Sequence, residues 1–206
     1  MQQKRYMRSV MSAKVLLLFA HPALHLSRIH ARWLKVAEQA NHVTVNDLYA
    51  HYPDFFIDVA REQALLVEHD IVLMEFPFYW FSSPSIIKQW QDVVLEYDFA
   101  YGENGNALKD KYFGVVTSTG GRDYSFKRGQ GYRYAVRDYL LPLEMASKLC
   151  GMNYLPPFVV HNSHLIEEEQ FDIHTRNYRF YLDSLKTVEA YYQKWQDALN
   201  INSVLF

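Results

Sequence analysis

The fold is decided by residues 71–84, which read IVLMEFPFYWFSSP. The first six residues make a nearly continuous apolar run of strand length, without the alternation of apolar and polar residues that a half-solvated strand shows. Such a run indicates a strand that is covered on both faces of its sheet. A periodic helical pattern follows at residues 84–97, so the stretch predicts one strand–loop–helix unit of a parallel sheet.

The same unit recurs on both sides of this stretch. Strand-length apolar runs also lie at residues 15–20, 43–48, 113–117 and 154–160, and periodic helical segments lie at residues 27–40, 57–68, 134–149 and 167–199. Five strands that alternate with five helices predict an α/β fold with a five-stranded parallel sheet and helices on both faces. Because no repeat or linker interrupts the pattern, we predict a single domain at residues 14–206 after a loose N-terminal extension at residues 1–13.

The composition excludes several classes of function. The 206 residues carry 21 Lys and Arg against 23 Asp and Glu, which argues against a nucleic-acid-binding protein with its clustered basic face. The single cysteine, Cys150, excludes an intrachain disulfide and a cysteine-based zinc site, and it is typical of a cytoplasmic protein. The nine histidines show no metal-ligand spacing, so no metal site is predicted. The aromatic fraction of 16% exceeds what a core needs, and part of it is expected at a site or an interface.

Ligands of parallel α/β sheets bind beyond the carboxyl ends of the strands. Three segments follow strands there, which we name loop 1 (residues 21–30), loop 2 (residues 76–84) and loop 3 (residues 117–124). Loop 1 enters a predicted helix at Ser27, where free N–H groups and the hydroxyl suit a phosphate, unless Ser27 only caps the helix. No G-x-G-x-x-G or Walker pattern is present, so neither a Rossmann dinucleotide site nor a P-loop is supported.

Loops 2 and 3 suggest a flat ligand. Loop 2 is rich in aromatic residues directly after a buried strand, which favours a ring system that stacks on side chains; the alternatives are a packed loop or an oligomer interface. Loop 3 contains Thr119 and the paired glycines Gly120 and Gly121, whose backbone N–H groups can approach a ligand closely. The alternative is that the two glycines only form an ordinary turn.

Loop 2 and the helix after it resemble a family signature. The segment from Phe76 through Trp80 to Trp90 is similar to the F-P-x-x-W-[FY]-x-x-P-x-x-x-K-x-W pattern of the flavodoxin-like NAD(P)H:quinone reductases. Residues 47–58 and 151–158 resemble the bacterial branch that includes the ancillary proteins of glutathione-regulated potassium-efflux systems. The resemblance extends from about Lys14 to about His164.

The resemblance implies a flavodoxin-like homodimer that binds FMN, or FAD as in the larger members. It implies an enzyme that transfers hydride from NAD(P)H through the flavin to a quinone, with Tyr124 as a catalytic residue that handles protons. The resemblance also implies three groups of cofactor-binding residues. The phosphate is held by His21, Ser27, Arg28, Ile29 and His30, and the ring system is bordered by Phe78, Tyr79, Trp80 and Phe81. The pyrimidine end of the ring is contacted by Thr119, Gly120 and Gly121.

Two positions depart from the family pattern. Relatives often carry Asn where this chain has His30, so a phosphate contact there requires that the ring donate a hydrogen bond. Many relatives also pair a Tyr in this loop with a nearby His. This chain has Tyr124, but residues 120–133 contain no His, so Arg122, Arg128 or water takes that role or protonation is not assisted. His161 and His164, which follow the last predicted strand, are expected at the surface or at a dimer contact, and Tyr132, Tyr134 and Tyr139 are expected to close over the site or join the dimer.

The alternative function belongs to another class. The bacterial branch implies a regulatory ancillary subunit that docks on the cytoplasmic face of a potassium-efflux antiporter. Both roles are compatible, because a fold does not fix one function. On either reading we expect a cytoplasmic protein that reaches the inner membrane only through a partner.

Overall fold

The computed structural model describes residues 12–206, so most of the predicted N-terminal extension at residues 1–13 lies outside the described residues. The sheet begins with four parallel strands, in the spatial order β2-β1-β3-β4. The strands are β1 (Val15–Phe19), β2 (Val43–Asp47), β3 (Ile71–Pro77) and β4 (Tyr112–Ser118). Strands β1 and β3 pair with Phe19 opposite Glu75, so both strands end at the same edge of the sheet.

The fifth predicted strand, residues 154–160, is divided in two. Strands β5 (Asn153–Tyr154) and β6 (Phe158–Val160) both pair in parallel with β4, which makes a sheet of six strands. The division falls at Pro156 and Pro157, which have no N–H to donate to a neighbouring strand. The expected parallel sheet is confirmed, and its last position is shared by two short strands.

Nine helices cover the described part of the chain, and two predicted helices are divided. The helices are α1 (Arg28–Glu38), α2 (Leu48–His51), α3 (Val59–Glu68), α4 (Ser85–Val94), α5 (Val136–Tyr139), α6 (Leu141–Leu149), α7 (Glu168–Leu185), α8 (Val188–Trp195) and α9 (Asn202–Leu205). The prediction of one continuous helix at residues 134–149 is wrong, and two helices, α5 and α6, are found there. Pro142 at the start of α6 has no N–H group, so it cannot donate the backbone hydrogen bond that would join α6 to α5. The prediction at residues 167–199 divides where Thr187 leaves the helical region, with φ −128° and ψ 33°.

Apolar side chains cover both faces of the sheet. Successive residues of a strand point to opposite faces, so Leu16 and Leu18 of β1 belong to one apolar cluster and Leu17 to the other. Trp90 of α4 lies in the first cluster, and Trp33 of α1 lies in the second. The prediction of helices on both faces is therefore confirmed. Among the helices of residues 12–206, none combines the length and apolar character that a membrane span requires.

Candidate functional site

The candidate site lies where β1, β3, β4 and β6 end. Loops 1, 2 and 3 follow the first three of these strands, and a fourth segment, which we name loop 4 (residues 161–164), follows β6. Because β6 pairs with the end of β4, with Ser118 opposite Val160, loop 4 lies beside loop 3.

Loop 1 ends in the capped N-terminus of α1. Ser27 is the N-cap, and its Oγ accepts a hydrogen bond from the His30 N–H at 3.2 Å. The N–H groups of Arg28 and Ile29 belong to the first turn, so they have no acceptor within the helix. Together with the dipole of this 11-residue helix, they suit an anionic group.

His21 adds a directed donor to loop 1. Its Nδ1 accepts a hydrogen bond from the Ala23 N–H at 3.1 Å, so the neutral ring carries its proton on Nε2. Burial, followed by the proximity of His30, lowers the pKa of His21 from 6.5 to about 4. At neutral pH this ring is therefore uncharged, and what it can offer an anion is an Nε2–H hydrogen bond.

The side chains that follow Ser27 turn away from loop 1. The Arg28 Nη2 donates to Glu168 Oε2 at 2.5 Å, and its guanidinium lies 4.2 Å from the centre of the Phe171 ring. Ile29 is buried in the apolar cluster between the sheet and α7. Both residues therefore offer loop 1 only their main-chain N–H groups.

The His30 ring lies inside the protein. Its Nδ1 is 3.0 Å from Glu75 Oε1 and its Nε2 is 3.0 Å from Ser118 Oγ, and the residue is 1% exposed. Both ring nitrogens are thus engaged, and neither is left for a phosphate. The His30 ring is therefore not available for the phosphate contact that the sequence predicts for it.

Loop 2 contains a tight turn with unusual backbone geometry. The Ser82 N–H donates to the Tyr79 carbonyl at 3.0 Å, and Trp80 and Phe81 between them have φ of 51° and 62°. Positive φ at both central residues defines a type I′ turn, in which non-glycine residues are strained. Among residues 12–206, no acceptor is bonded to the N–H of Trp80 or of Phe81. Trp80 is 94% exposed, so the turn presents an indole and two free donors to a ligand.

An aromatic wall joins loop 2 to the segment after loop 3. Phe78 is buried and packs edge-on against Phe126 and Tyr139, with ring centroids 5.9 and 5.8 Å apart. Phe81 packs against Tyr139 at 5.3 Å and against Tyr132 at 5.2 Å. Tyr132 and Tyr139 therefore border the site, whereas Phe78 supports the turn from below.

Loop 4 fixes the conformation of loop 3. The Asn162 N–H donates to the Gly121 carbonyl and the Ser163 N–H donates to the Thr119 carbonyl, both at 2.9 Å. A Cβ on Gly121 would lie 2.9 Å from the Phe126 ring, so a larger residue here would displace that ring. The loop therefore keeps a compact backbone, as its paired glycines indicate.

The sequence predicts His161 at the surface or at a dimer contact and gives it no role in the site, but the structure places it beside loop 3 with 17% of its side chain exposed. His161 Nδ1 is 2.9 Å from Thr119 Oγ1, and its Nε2 is 3.5 Å from Asp123 Oδ1. Its ring stacks on Phe126, and burial lowers its pKa despite the opposing effect of the Asp123 carboxylate. Residues 120–133 contain no histidine, so the signal for His161 lies in the pairing of adjacent strands and not in loop 3 itself. A histidine directly after the last strand must lie near the loop that follows its neighbour.

Tyr124 and His164 lie at the open side of loop 3. Tyr124 belongs to a short 3₁₀ turn, Asp123–Phe126, and is 56% exposed. The exposed His164 lies next to Gly120, with its Nε2 3.0 Å from the place of a Cβ on that glycine. Both side chains are accessible to a molecule in the site. Within residues 12–206, no three His, Cys, Asp or Glu side chains are grouped as metal ligands.

The arrangement suits a phosphorylated ligand with a flat ring system. Loop 1 offers anion donors at one end, and the Trp80 and Phe81 N–H groups offer donors to a ring edge further along. The His21 ring of loop 1 lies 6.2 Å from the Tyr79 ring of loop 2, so one ligand can reach both loops. These donors fit FMN, whose phosphate and ring oxygens are acceptors.

Comparisons with known proteins agree with this description. A sequence model described as flavodoxin-like fold matches residues 13–182. The glutathione-regulated potassium-efflux system ancillary protein KefG of Escherichia coli is 43% identical over 166 residues, which are 81% of this chain and 90% of that protein. General stress protein 14 of Treponema denticola, solved in complex with FMN, is 37% identical with a TM-score of 0.79, over 84% of this chain and 99% of that one. An NADPH-quinone reductase from P. pentosaceus is 31% identical with a TM-score of 0.74, over 82% and 96%.

Proposed function

The chain belongs to the flavodoxin-like family, and from that premise we propose that it is an FMN-dependent NAD(P)H:quinone oxidoreductase. The observation that carries the proposal is the pair of free N–H groups at Trp80 and Phe81, next to an anion-binding loop 1. The relative named as an NADPH-quinone reductase and the relative solved with FMN support it.

Each loop has a distinct task in this proposal. His21 Nε2–H and the N–H groups of the first turn of α1 hold the phosphate. The turn at Trp80 and Phe81 orients the ring system and donates to its edge, while Gly120 and Gly121 place backbone N–H groups where negative charge develops. FMN, when bound, supplies the hydride chemistry, and the protein supplies binding, orientation and electrostatics.

Proton handling falls to Tyr124 and His161. The exposed Tyr124 hydroxyl donates to a quinone oxygen that lies over the site. His161 lies next to loop 3, where its contacts with Thr119 and with Asp123, the residue before Tyr124, hold the ring in one orientation. Two substrates, NAD(P)H and then quinone, use the same open face beside Trp80 and leave in turn.

A second role is proposed from the efflux-system relative. KefG is named as an ancillary protein, and its 43% identity over 90% of its length makes a similar role reasonable for this chain. The chain would act as a regulatory subunit on the cytoplasmic face of a potassium-efflux antiporter, held there by the antiporter itself. Pull-down with the antiporter and potassium efflux in a deletion strain test this role; no capture and unchanged efflux would reject it.

The exposed aromatic residues around the site also suit a homodimer. Trp80, Tyr124 and Tyr134 are each more than half exposed, a large apolar area for one protein surface. We propose that a second copy covers part of it, which light scattering at micromolar concentration will show as a doubled mass.

The enzyme proposal is tested on the purified protein. Quenching of FMN fluorescence should give saturable binding, and the loaded protein should oxidise NADH or NADPH only when a quinone is present. FAD titrated in parallel decides between the two flavins. A protein that binds neither flavin contradicts the proposal, and one that binds FMN without quinone reduction leaves only the binding part.

A further inference from the structure

A buried polar cluster lies directly beneath the three loops. His30 contacts Glu75 Oε1 through Nδ1 and Ser118 Oγ through Nε2, both at 3.0 Å. The Tyr178 hydroxyl donates to the other Glu75 oxygen at 2.7 Å. All four residues are at most 5% exposed. None of these side chains has a part in the proposed reaction.

His30, Glu75 and Ser118 each lie in or next to a different loop, whereas the fourth member, Tyr178, belongs to α7. His30 is in the first turn of α1, and its N–H is bonded to the Ser27 hydroxyl of loop 1. Glu75 is in β3, immediately before loop 2 begins. Ser118 is the last residue of β4, and loop 3 turns away from the sheet at Thr119. A single imidazole therefore links elements that are far apart in sequence.

The ring is held in a fixed orientation. Trp33 stacks on Tyr178 with centroids 5.2 Å apart and meets the His30 ring edge-on at 5.2 Å. Tyr178 in turn fixes the Glu75 carboxylate that faces Nδ1. Because a buried carboxylate needs its hydrogen-bond partners, rotation of the ring would leave Glu75 Oε1 without its partner. The Nε2 atom is thereby kept on Ser118.

We propose that His30 is a positioning residue, which sets the distance between loop 1 and loop 3 through its bond to Ser118 so that both contact one FMN molecule. The inference rests on the proposed function, because it concerns the same site. A ligand held at two ends gains from a fixed spacing of its two subsites, whereas a ligand held at one end does not. FMN uses both loops, and riboflavin lacks the phosphate that loop 1 holds.

The test replaces Ser118 and leaves the ring in place. Ser118→Ala removes only the hydroxyl that is hydrogen-bonded to Nε2. We expect the Kd of FMN to rise at least fivefold and the Kd of riboflavin to change less than twofold, both measured by fluorescence quenching. In the flavin-free protein, amide hydrogen exchange at residues 119–124 should accelerate.

A second buried carboxylate provides the matched control. Glu62 is fully buried and accepts bonds from Asn46, Tyr52 and Trp90 at 2.6 to 2.8 Å, and none of these residues belongs to loops 1 to 3. Glu62→Gln should lower the melting temperature and leave the affinity for FMN unchanged. Glu75→Gln, in contrast, should lower the affinity for FMN more than the affinity for riboflavin.

Two outcomes would overturn the inference. If Ser118→Ala weakens the binding of FMN and of riboflavin equally, or weakens neither, the hydroxyl does not set the spacing of the loops. FMN binding by the wild-type protein would still support the proposed function in that case. If the wild-type protein binds no FMN, the proposed function and this inference fall together.

Discussion

His161 Nδ1 lies 2.9 Å from Thr119 Oγ1, although the two residues are 42 positions apart in the chain. The contact joins loop 4 to loop 3 and brings an imidazole to the segment that carries Tyr124. The protein thus has a histidine bonded to the loop that carries its proposed proton donor, and this histidine follows the neighbouring strand of the sheet instead of belonging to the same loop.

Replacing Tyr124 tests the proton-handling role. We expect Tyr124→Phe to lower kcat for quinone reduction about tenfold or more, because the hydroxyl is the only part that is lost. Affinity for FMN and the melting temperature should stay unchanged. Tyr134→Phe is the control, because both tyrosines are 56% exposed. If the two variants are equally active, Tyr124 is not the proton donor.

Replacing Trp80 separates ligand binding from stability. The indole is 94% exposed, so Trp80→Ala should change the free energy of unfolding by no more than about 0.5 kcal/mol. FMN affinity or turnover should fall about three- to tenfold, the equivalent of roughly 0.5–1.5 kcal/mol for an aromatic pair. The measurements are FMN titration and urea unfolding.

Trp195 is the control for Trp80, and the opposite result is expected there. It is 4% exposed, so Trp195→Ala should lower the free energy of unfolding by about 3–5 kcal/mol. The folded fraction should bind FMN normally. Equal losses of FMN affinity in the two variants would exclude a stacking role for Trp80.

The lowered pKa of His21 predicts an acid-sensitive fold. The folded pKa is about 4 against an ordinary value of 6.5, so the unfolded chain binds a proton between these values and the folded chain does not. The free energy of unfolding should therefore fall as pH decreases from about 6.5 to about 4, by up to about 3 kcal/mol from this residue. In His21→Asn, urea unfolding at pH 7 and pH 4.5 should show a smaller difference than in the wild type; equal differences would contradict the assignment.

The paired glycines of loop 3 should differ in tolerance. A Cβ at Gly121 meets the Phe126 ring at 2.9 Å, inside a packed aromatic wall, so Gly121→Ala should cost about 1–3 kcal/mol and weaken FMN binding. A Cβ at Gly120 meets only the exposed His164 side chain, which can move aside, so Gly120→Ala should cost less than about 1 kcal/mol. Thermal melting and FMN titration of the two variants test this difference. Equal destabilisation of the two variants would show that the Phe126 ring can move aside.

The predictable part of the site is its position. Apolar runs located β1, β3 and β4, and the rule that ligands bind at the carboxyl ends of parallel strands placed loops 1, 2 and 3 at one edge. The unpredicted part concerns side-chain direction. Arg28 is one residue from Ser27, yet its guanidinium is bound to Glu168 of α7 and lies away from loop 1.

The sequence by itself determined the α/β fold, the strands and the loops between them, because apolar periodicity and turn residues act over a few neighbouring positions. Only the tertiary structure decided that His30 points inward to Glu75 and Ser118, and that His161 reaches Thr119. Those contacts join residues 42 to 88 positions apart, and they depend on strand register and packing, which no local pattern encodes.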